Sequence, residues 1–267
     1  MLSWEAVGIM PNIKQYNTGV IYVTEKLKSK IKKISDYPCT LVEAPMGYGK
    51  TTAVREYLKS IDAHVLWLKL FDASISGFWA GFCRLFFELD EIGAENLEQI
   101  GFPGDSASRE EVLRLLGRIK LPKNTVIVLD DYHLLDRTEV NQLIEFLLWN
   151  EVMDFRLIMT ARYNSLVNLQ ELKLKGYLYH LKKEDLEFSC QDIRSYYSLC
   201  GIKIKGKESQ ELFAHTQGWV SALYLVMCNY LEEGDFAVTP DITRLIEKVV
   251  YHPFSEEIKE FLFSVFI

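Results

Sequence analysis

At 267 residues the chain is long enough for one or two domains and a sizeable core, and its 49% apolar and 25% charged residues are those of an ordinary folded protein. A formal net charge of −7 excludes broad binding to nucleic acid or to anionic membranes by bulk charge. The five cysteines (Cys39, Cys83, Cys190, Cys200 and Cys228) are odd in number and have no C-x-x-C spacing, which points to reduced thiols and a cytoplasmic protein rather than a disulfide framework. Cys190 and Cys200 are close enough in sequence to meet, but the further ligands of a metal site are missing. No charged-then-apolar leader opens the chain and no apolar run is long enough to span a bilayer.

Residues 1 to about 20 lack periodicity and carry turn signals at Met10-Pro11-Asn12 and Asn17-Thr18-Gly19. Thr24 is placed to cap a first helix running to about Ile34, with Leu27, Ile31 and Ile34 inward and the lysines between Lys26 and Lys33 on a solvated face. Asp36-Tyr37-Pro38 ends it.

The most informative stretch follows, Leu41-Val42-Glu43-Ala44-Pro45-Met46-Gly47-Tyr48-Gly49-Lys50-Thr51-Thr52. It reads as a buried strand, a glycine-bearing turn and a helix start. From Ala44 to Thr51 it fits G-x-x-x-x-G-K-[ST] at every fixed position but the first, where Ala replaces Gly. Gly47 and Gly49 let backbone N–H groups approach phosphate oxygens. The helix starting near Lys50 presents its positive end to the same anion. Lys50 is expected on the β- and γ-phosphates and the Thr51 hydroxyl on Mg²⁺.

A second strand is expected over His64–Leu70, apolar enough to be covered on both faces. A helix from about Ser76 to Leu89 buries Phe78, Trp79, Phe82 and Phe86, residues 99–108 form a loop, and Glu110–Lys120 form another helix. Thr125–Leu129 is a strand ending in Asp130-Asp131. A carboxylate at the carboxyl end of a parallel strand faces the ligand crevice of an open α/β sheet. Asp130 is therefore expected near Mg²⁺, and Asp131 is a candidate to orient or deprotonate an attacking water. A helix over Thr138–Asn150 and a strand over Phe155–Thr160 follow. The strand leads to Arg162, a candidate γ-phosphate sensor. Lys173 and Lys175 are weaker candidates. Tyr177–Leu181 completes the strands.

Beyond about residue 187 only helices are expected: one starting at Ser189 or Asp192, one over Lys207–Thr216, and one from Trp219 to Glu232, with Gly218 as a helix stop. Further helices are expected over Asp241–Tyr251 and from Ser255. The closing apolar face of Phe261, Leu262, Val265 and Phe266 suggests a fragment cut inside a further domain. His133, His180, His215 and His252 are scattered and read as structural or surface residues rather than ligands.

These residues together resemble the signal-transduction ATPases with numerous domains, in the MalT-like branch of large LuxR-family transcription activators. LVEAPMGYGKTT looks like that branch's phosphate loop, VIVLDDYHLL like its Mg²⁺ element, IMTAR like its sensor strand, and DLEFS with HTQGWVSALYL like its helical-domain signature. The resemblance spans about residues 20 to 230. It implies an α/β P-loop NTPase with a parallel five-stranded sheet of order 2-3-4-1-5 sandwiched by helices, then a small all-α domain. The corresponding divisions are residues 1–186, 187–238 and the start of a winged-helix-like domain over 239–267.

The resemblance implies a switch that binds ATP or ADP with Mg²⁺, hydrolyses ATP slowly and self-associates in its ATP-bound full-length form. Inducer and DNA would act through C-terminal regions outside this chain. By position it implies phosphate contacts from Pro45, Gly47, Tyr48, Gly49, Lys50, Thr51 and Thr52, metal contact from Thr51 and Asp130, catalysis by Asp131 with Lys50, and sensing by Arg162. Tyr22 would line the adenine on one side and Gly218-Trp219 on the other. Two departures stand out: Ala44 for Gly, and Val220 where many relatives carry Pro. The alternatives are a free-standing, faster AAA+ or archaeal-type P-loop ATPase, and a pseudo-ATPase that only binds nucleotide.

Overall fold

The computed structural model describes residues 20–150, 154–164, 166–234 and 236. The turns expected before residue 20, the helices expected over Asp241–Tyr251 and from Ser255, the apolar closing face and the whole 239–267 division lie outside the described residues.

Helix α1 (Glu25–Ile31) starts where Thr24 accepts the Leu27 N–H, and it tightens into a 3₁₀ turn over Lys32–Asp36. Its inward residues Leu27, Ile31 and Ile34 are buried, while Lys30 pairs with Asp185. Strand β1 (Cys39–Glu43) then enters the phosphate-binding turn, and α2 (Lys50–Lys59) leaves it. The remaining strands are β2 (His64–Lys69), β3 (Thr125–Asp130), β4 (Phe155–Ala161) and β5 (Leu178–Leu181). They form one parallel sheet of order β2-β3-β4-β1-β5. Side chains alternate between the faces of a strand. Every residue of β3 is buried, so both of its faces are covered, as a parallel sheet requires.

Between β2 and β3 lie α3 (Ile75–Arg84), α4 (Glu91–Ile100) and α5 (Ser106–Leu116). The aromatic stripe of α3 and the turn after it packs as expected, with Phe78, Trp79, Phe82 and Phe86 buried in the main core. Burying each such ring contributes about 2–3 kcal/mol. After β3 come α6 (Thr138–Trp149), α7 (Leu169–Leu174) and, past β5, α8 (Lys183–Leu186).

Four expectations are corrected. The helix expected to Leu89 ends at Arg84, and α4 follows it after an Asp90 cap on Gly93. The expected loop 99–108 shrinks because Asp105 and Ser108 form a reciprocal cap that starts α5 at Ser106. Strand β2 is an edge strand, half covered rather than buried on both faces, with Arg55 lying 5.0 Å over the Trp67 ring. Cys190 and Cys200 bracket helix α9 (Cys190–Leu199), so its rise holds them about 15 Å apart and they do not meet. None of the five cysteines is joined in a disulfide.

Contacts divide the chain into two compact bodies. The sheet body comprises Val23–Glu187 and also Trp219–Ser221. Among the described residues of the second body, α9, α10 (Gly206–Thr216) and most of α11 (Val220–Glu233) carry all the regular structure. Within it the Tyr197 hydroxyl donates to the Leu223 carbonyl at 2.8 Å, and Tyr22 packs against Phe188 and Tyr196. The turn into α11 is left-handed at both Gln217 and Gly218.

Candidate phosphate-binding site

Parallel register brings the site together. In it Lys69 of β2 lies beside Asp130 of β3, and Val42 of β1 beside Thr160 of β4. Asp130 and Thr160 sit one residue beyond the last paired rung of their strands, Leu129 with Met159. The carboxyl ends of four strands therefore present Lys69, Asp130, Thr160 and the start of the phosphate loop along one edge. That edge is where open α/β sheets hold ligands.

The loop turns as its glycines require, with φ of 80° at Gly47 and 79° at Gly49. Gly49 is the residue before α2, so the free N–H groups of the helix's first turn open onto the loop. Lys50 folds back over the loop, donating to the Ala44 carbonyl at 2.6 Å and the Pro45 carbonyl at 3.0 Å. Burial lowers its pKa to about 8, with Asp131 and Asp130 acting against that shift and Arg162 adding to it. A buried ammonium held by neutral carbonyls is suited to an incoming anion.

Thr51 donates to Asp130 Oδ1 at 2.8 Å. Thr160, fully buried, donates to the same oxygen at 2.6 Å and accepts the Asp131 N–H at 3.0 Å. Asp130 is only 2% exposed, and these two hydroxyls fix it in place. The hydroxyl and carboxylate oxygens of Thr51 and Asp130 are hard donors of the kind Mg²⁺ takes alongside phosphate oxygens, so the residues fit that ion. Among the described residues no group of three or more His, Cys, Asp or Glu forms a self-sufficient metal site.

Asp131 has a left-handed backbone, φ 61°, and its carboxylate lies 3.9 Å from Lys69 Nζ. Arg162 is exposed, with its guanidinium 3.7 Å from Met46 Sδ at the loop. His133 is buried beside these groups and neither ring nitrogen finds a hydrogen-bond partner among the described residues. Burial first, then the Arg162 and Lys50 charges, lower its pKa to about 4, with Asp130 and Asp136 opposing.

The structure thus brings Lys50, Thr51, Asp130, Asp131 and Arg162 to one edge. Thr52 follows Thr51 on α2 and is exposed, and Tyr48 is buried. Trp219 reaches the loop by donating its indole N–H to the Met46 carbonyl at 3.0 Å and stacking on Tyr48. Tyr22 and Gly218 belong to the second body. There Tyr22 donates to Asp192, and the Gly218 carbonyl accepts the Phe188 N–H. Lys173 and Lys175 lie on and just after α7, where Lys175 pairs with Glu171 and lies over the Trp149 ring. Sequence reasoning missed Thr160, Lys69 and Ser221. The signal for Thr160 was a single hydroxyl inside the apolar run of β4.

The family model described as an AAA domain matches residues 32–169. The HTH-type transcriptional regulator MalT of Yersinia enterocolitica is 23% identical over 210 residues, covering 76% of this chain and 23% of the relative. The protein of the same name from Yersinia pestis is 24% identical over 212 residues, with the same coverage. The chain therefore spans about a quarter of the length of the curated relatives it matches. A Walker-type ATPase of Pyrococcus abyssi superposes with a TM-score of 0.56 at 14% identity, covering 90% of this chain and 75% of its own, a likeness of fold.

Proposed function

The chain belongs to the AAA domain family of P-loop ATPases, and on that premise we propose that it is the nucleotide-binding switch module of a helix-turn-helix transcription regulator. The observation that carries the proposal is the joined set Thr51–Asp130–Thr160 beneath a loop whose Lys50 donates, among the described residues, to the neutral carbonyls of Ala44 and Pro45. ATP or ADP is the ligand. Gly47, Gly49 and the first turn of α2 offer N–H donors, with Pro45, Tyr48 and Thr52 shaping the loop, and Lys50 transfers its hydrogen bonds to the phosphates. Thr51 and Asp130 would hold Mg²⁺, which would supply charge neutralisation to the phosphates. Asp131 orients the attacking water, and Arg162 senses the γ-phosphate. Trp219, which lies on the sheet body beside the loop, is assigned to the base.

Hydrolysis is slow, as in switches that reset rather than motors that cycle. The ATP-bound full-length protein self-associates in the cytoplasm, and inducer and DNA engage it through chain outside the region matched here. The divisions 1–186, 187–238 and 239–267 remain our assignment of domains. No helix among the described residues is long and apolar enough to cross a membrane.

The test is to denature the purified chain and identify any released nucleotide by chromatography. Retained ADP and turnover well below one per second are expected. An empty protein with rapid turnover would instead favour a motor-type ATPase. Lys50→Ala should abolish binding, and unchanged affinity in that variant removes the phosphate-loop assignment.

A further inference from the structure

Three hydrogen bonds reach the phosphate loop from a segment about 170 residues away in sequence. Ser221 donates twice to the Gly47 carbonyl, through its N–H and its hydroxyl, each at 3.1 Å. Trp219 donates to the preceding carbonyl, Met46, at 3.0 Å. The approach is close enough that a Cβ on Gly47 would lie 2.4 Å from Ser221 Oγ and 2.6 Å from Trp219 Nε1. Gly47 is therefore glycine for two reasons, its positive φ and this contact.

The consequence follows from the planarity of the peptide bond. In a trans peptide the C=O of one residue and the N–H of the next point in opposite directions. No cis peptide occurs among the described residues. Holding the Met46 carbonyl thus fixes the direction of the Gly47 N–H, and holding the Gly47 carbonyl fixes that of the Tyr48 N–H. Both N–H groups then face away from the 219–221 segment. Tyr48 adds to the lock, because its ring stacks on the Trp219 ring, centroids 6.4 Å apart, and the Lys183 ammonium lies 5.6 Å from its centroid.

We propose that Ser221, assisted by Trp219, is a positioning residue for nucleotide: its paired donors hold the Gly47 peptide so that two loop N–H groups are set for phosphate before ligand arrives. The inference rests on the reading of this loop as a nucleotide site. A loop free to rotate those peptides would have to order them on binding, and preorganisation removes that cost.

The test uses the full chain and a fluorescent ADP analogue with Mg²⁺, read by equilibrium titration and by nucleotide-free thermal unfolding. Ser221→Ala should weaken binding about five- to tenfold as the loop loses its preorganisation, with the nucleotide-free midpoint lowered by no more than about 2–4 °C. Ser221→Thr, which keeps the hydroxyl, should restore the affinity. Trp219→Phe, which keeps the ring and loses the donor, should weaken binding to a similar degree. Affinities within twofold of the parent in Ser221→Ala and Trp219→Phe, while Lys50→Ala loses binding, would overturn the positioning role and leave the nucleotide site standing. A parent chain that binds no nucleotide overturns the site itself, and this role with it.

Discussion

The Thr51 hydroxyl and the Asp130 carboxylate, 79 residues apart in sequence, meet at 2.8 Å across the carboxyl edge of the sheet. Their separate elements, the start of α2 and the end of β3, are brought together by the β1–β4–β3 register, and Thr160 holds the shared oxygen from the strand between them. Thr51→Ala should leave nucleotide binding in chelator nearly unchanged but remove most of the affinity gained on adding Mg²⁺, about tenfold. Titration with and without the metal checks this. An equal loss under both conditions would mean that the hydroxyl serves the loop rather than the ion.

Lys50 makes the affinity sensitive to alkaline pH. Its pKa in the free protein is lowered to about 8, and a bound phosphate favours the charged form. Below pH 8 the ammonium is already protonated, and above it binding must take up a proton. Affinity should hold steady to about pH 8 and then fall toward tenfold per pH unit. Calorimetry in buffers of different ionisation enthalpy should show proton uptake near pH 9 and almost none at pH 7.

His133 sets an acid limb on stability. Its folded pKa of about 4 lies below the ordinary 6.5, so the unfolded chain binds the proton first as pH falls. The stabilisation is fully present above about pH 6.5 and is lost as pH falls toward 4, at most about 3 kcal/mol. His133→Leu should flatten that part of the stability profile, as measured by denaturant unfolding between pH 7 and 4.

Gly218→Ala should destabilise the helical body. The glycine has φ 72°, and an added Cβ would lie 2.3 Å from the Phe188 carbonyl oxygen, a backbone atom that cannot swing aside. The cost is about 3 kcal/mol or more. Hydrogen exchange of the Cys190–Leu199 amides reports it without assuming that both bodies unfold together.

Much of the site was legible because its chemistry is local. Gly47, Gly49, Lys50 and Thr51 lie within five residues, and Asp130 closes an apolar run. The strand order came through resemblance rather than from periodicity, which carries no information on which strands are neighbours. What stayed hidden was built by capping or by distance. Helix α4 and the first turn of α5 are started by Asp90 and by the Asp105–Ser108 pair, short polar caps that apolar periodicity does not register. The exposure of β2 follows from its place at the sheet edge, which its apolar sequence does not show. Ser221 reads as an ordinary first-turn helix residue until the chain brings it back to Gly47.

Asp131 carries a handedness as well as a charge. At φ 61° and ψ 38° it occupies a region that asparagine and aspartate tolerate and alanine resists. An alanine scan at this position would therefore combine two losses, a carboxylate and a comfortable backbone, and would overstate the acid's part in turnover. The change Asp131→Asn keeps the turn and removes only the charge. That variant should bind Mg-ATP as the parent does and hydrolyse it more slowly, and equal turnover would acquit the carboxylate. The geometry of one residue thus decides which replacement can ask a chemical question at all.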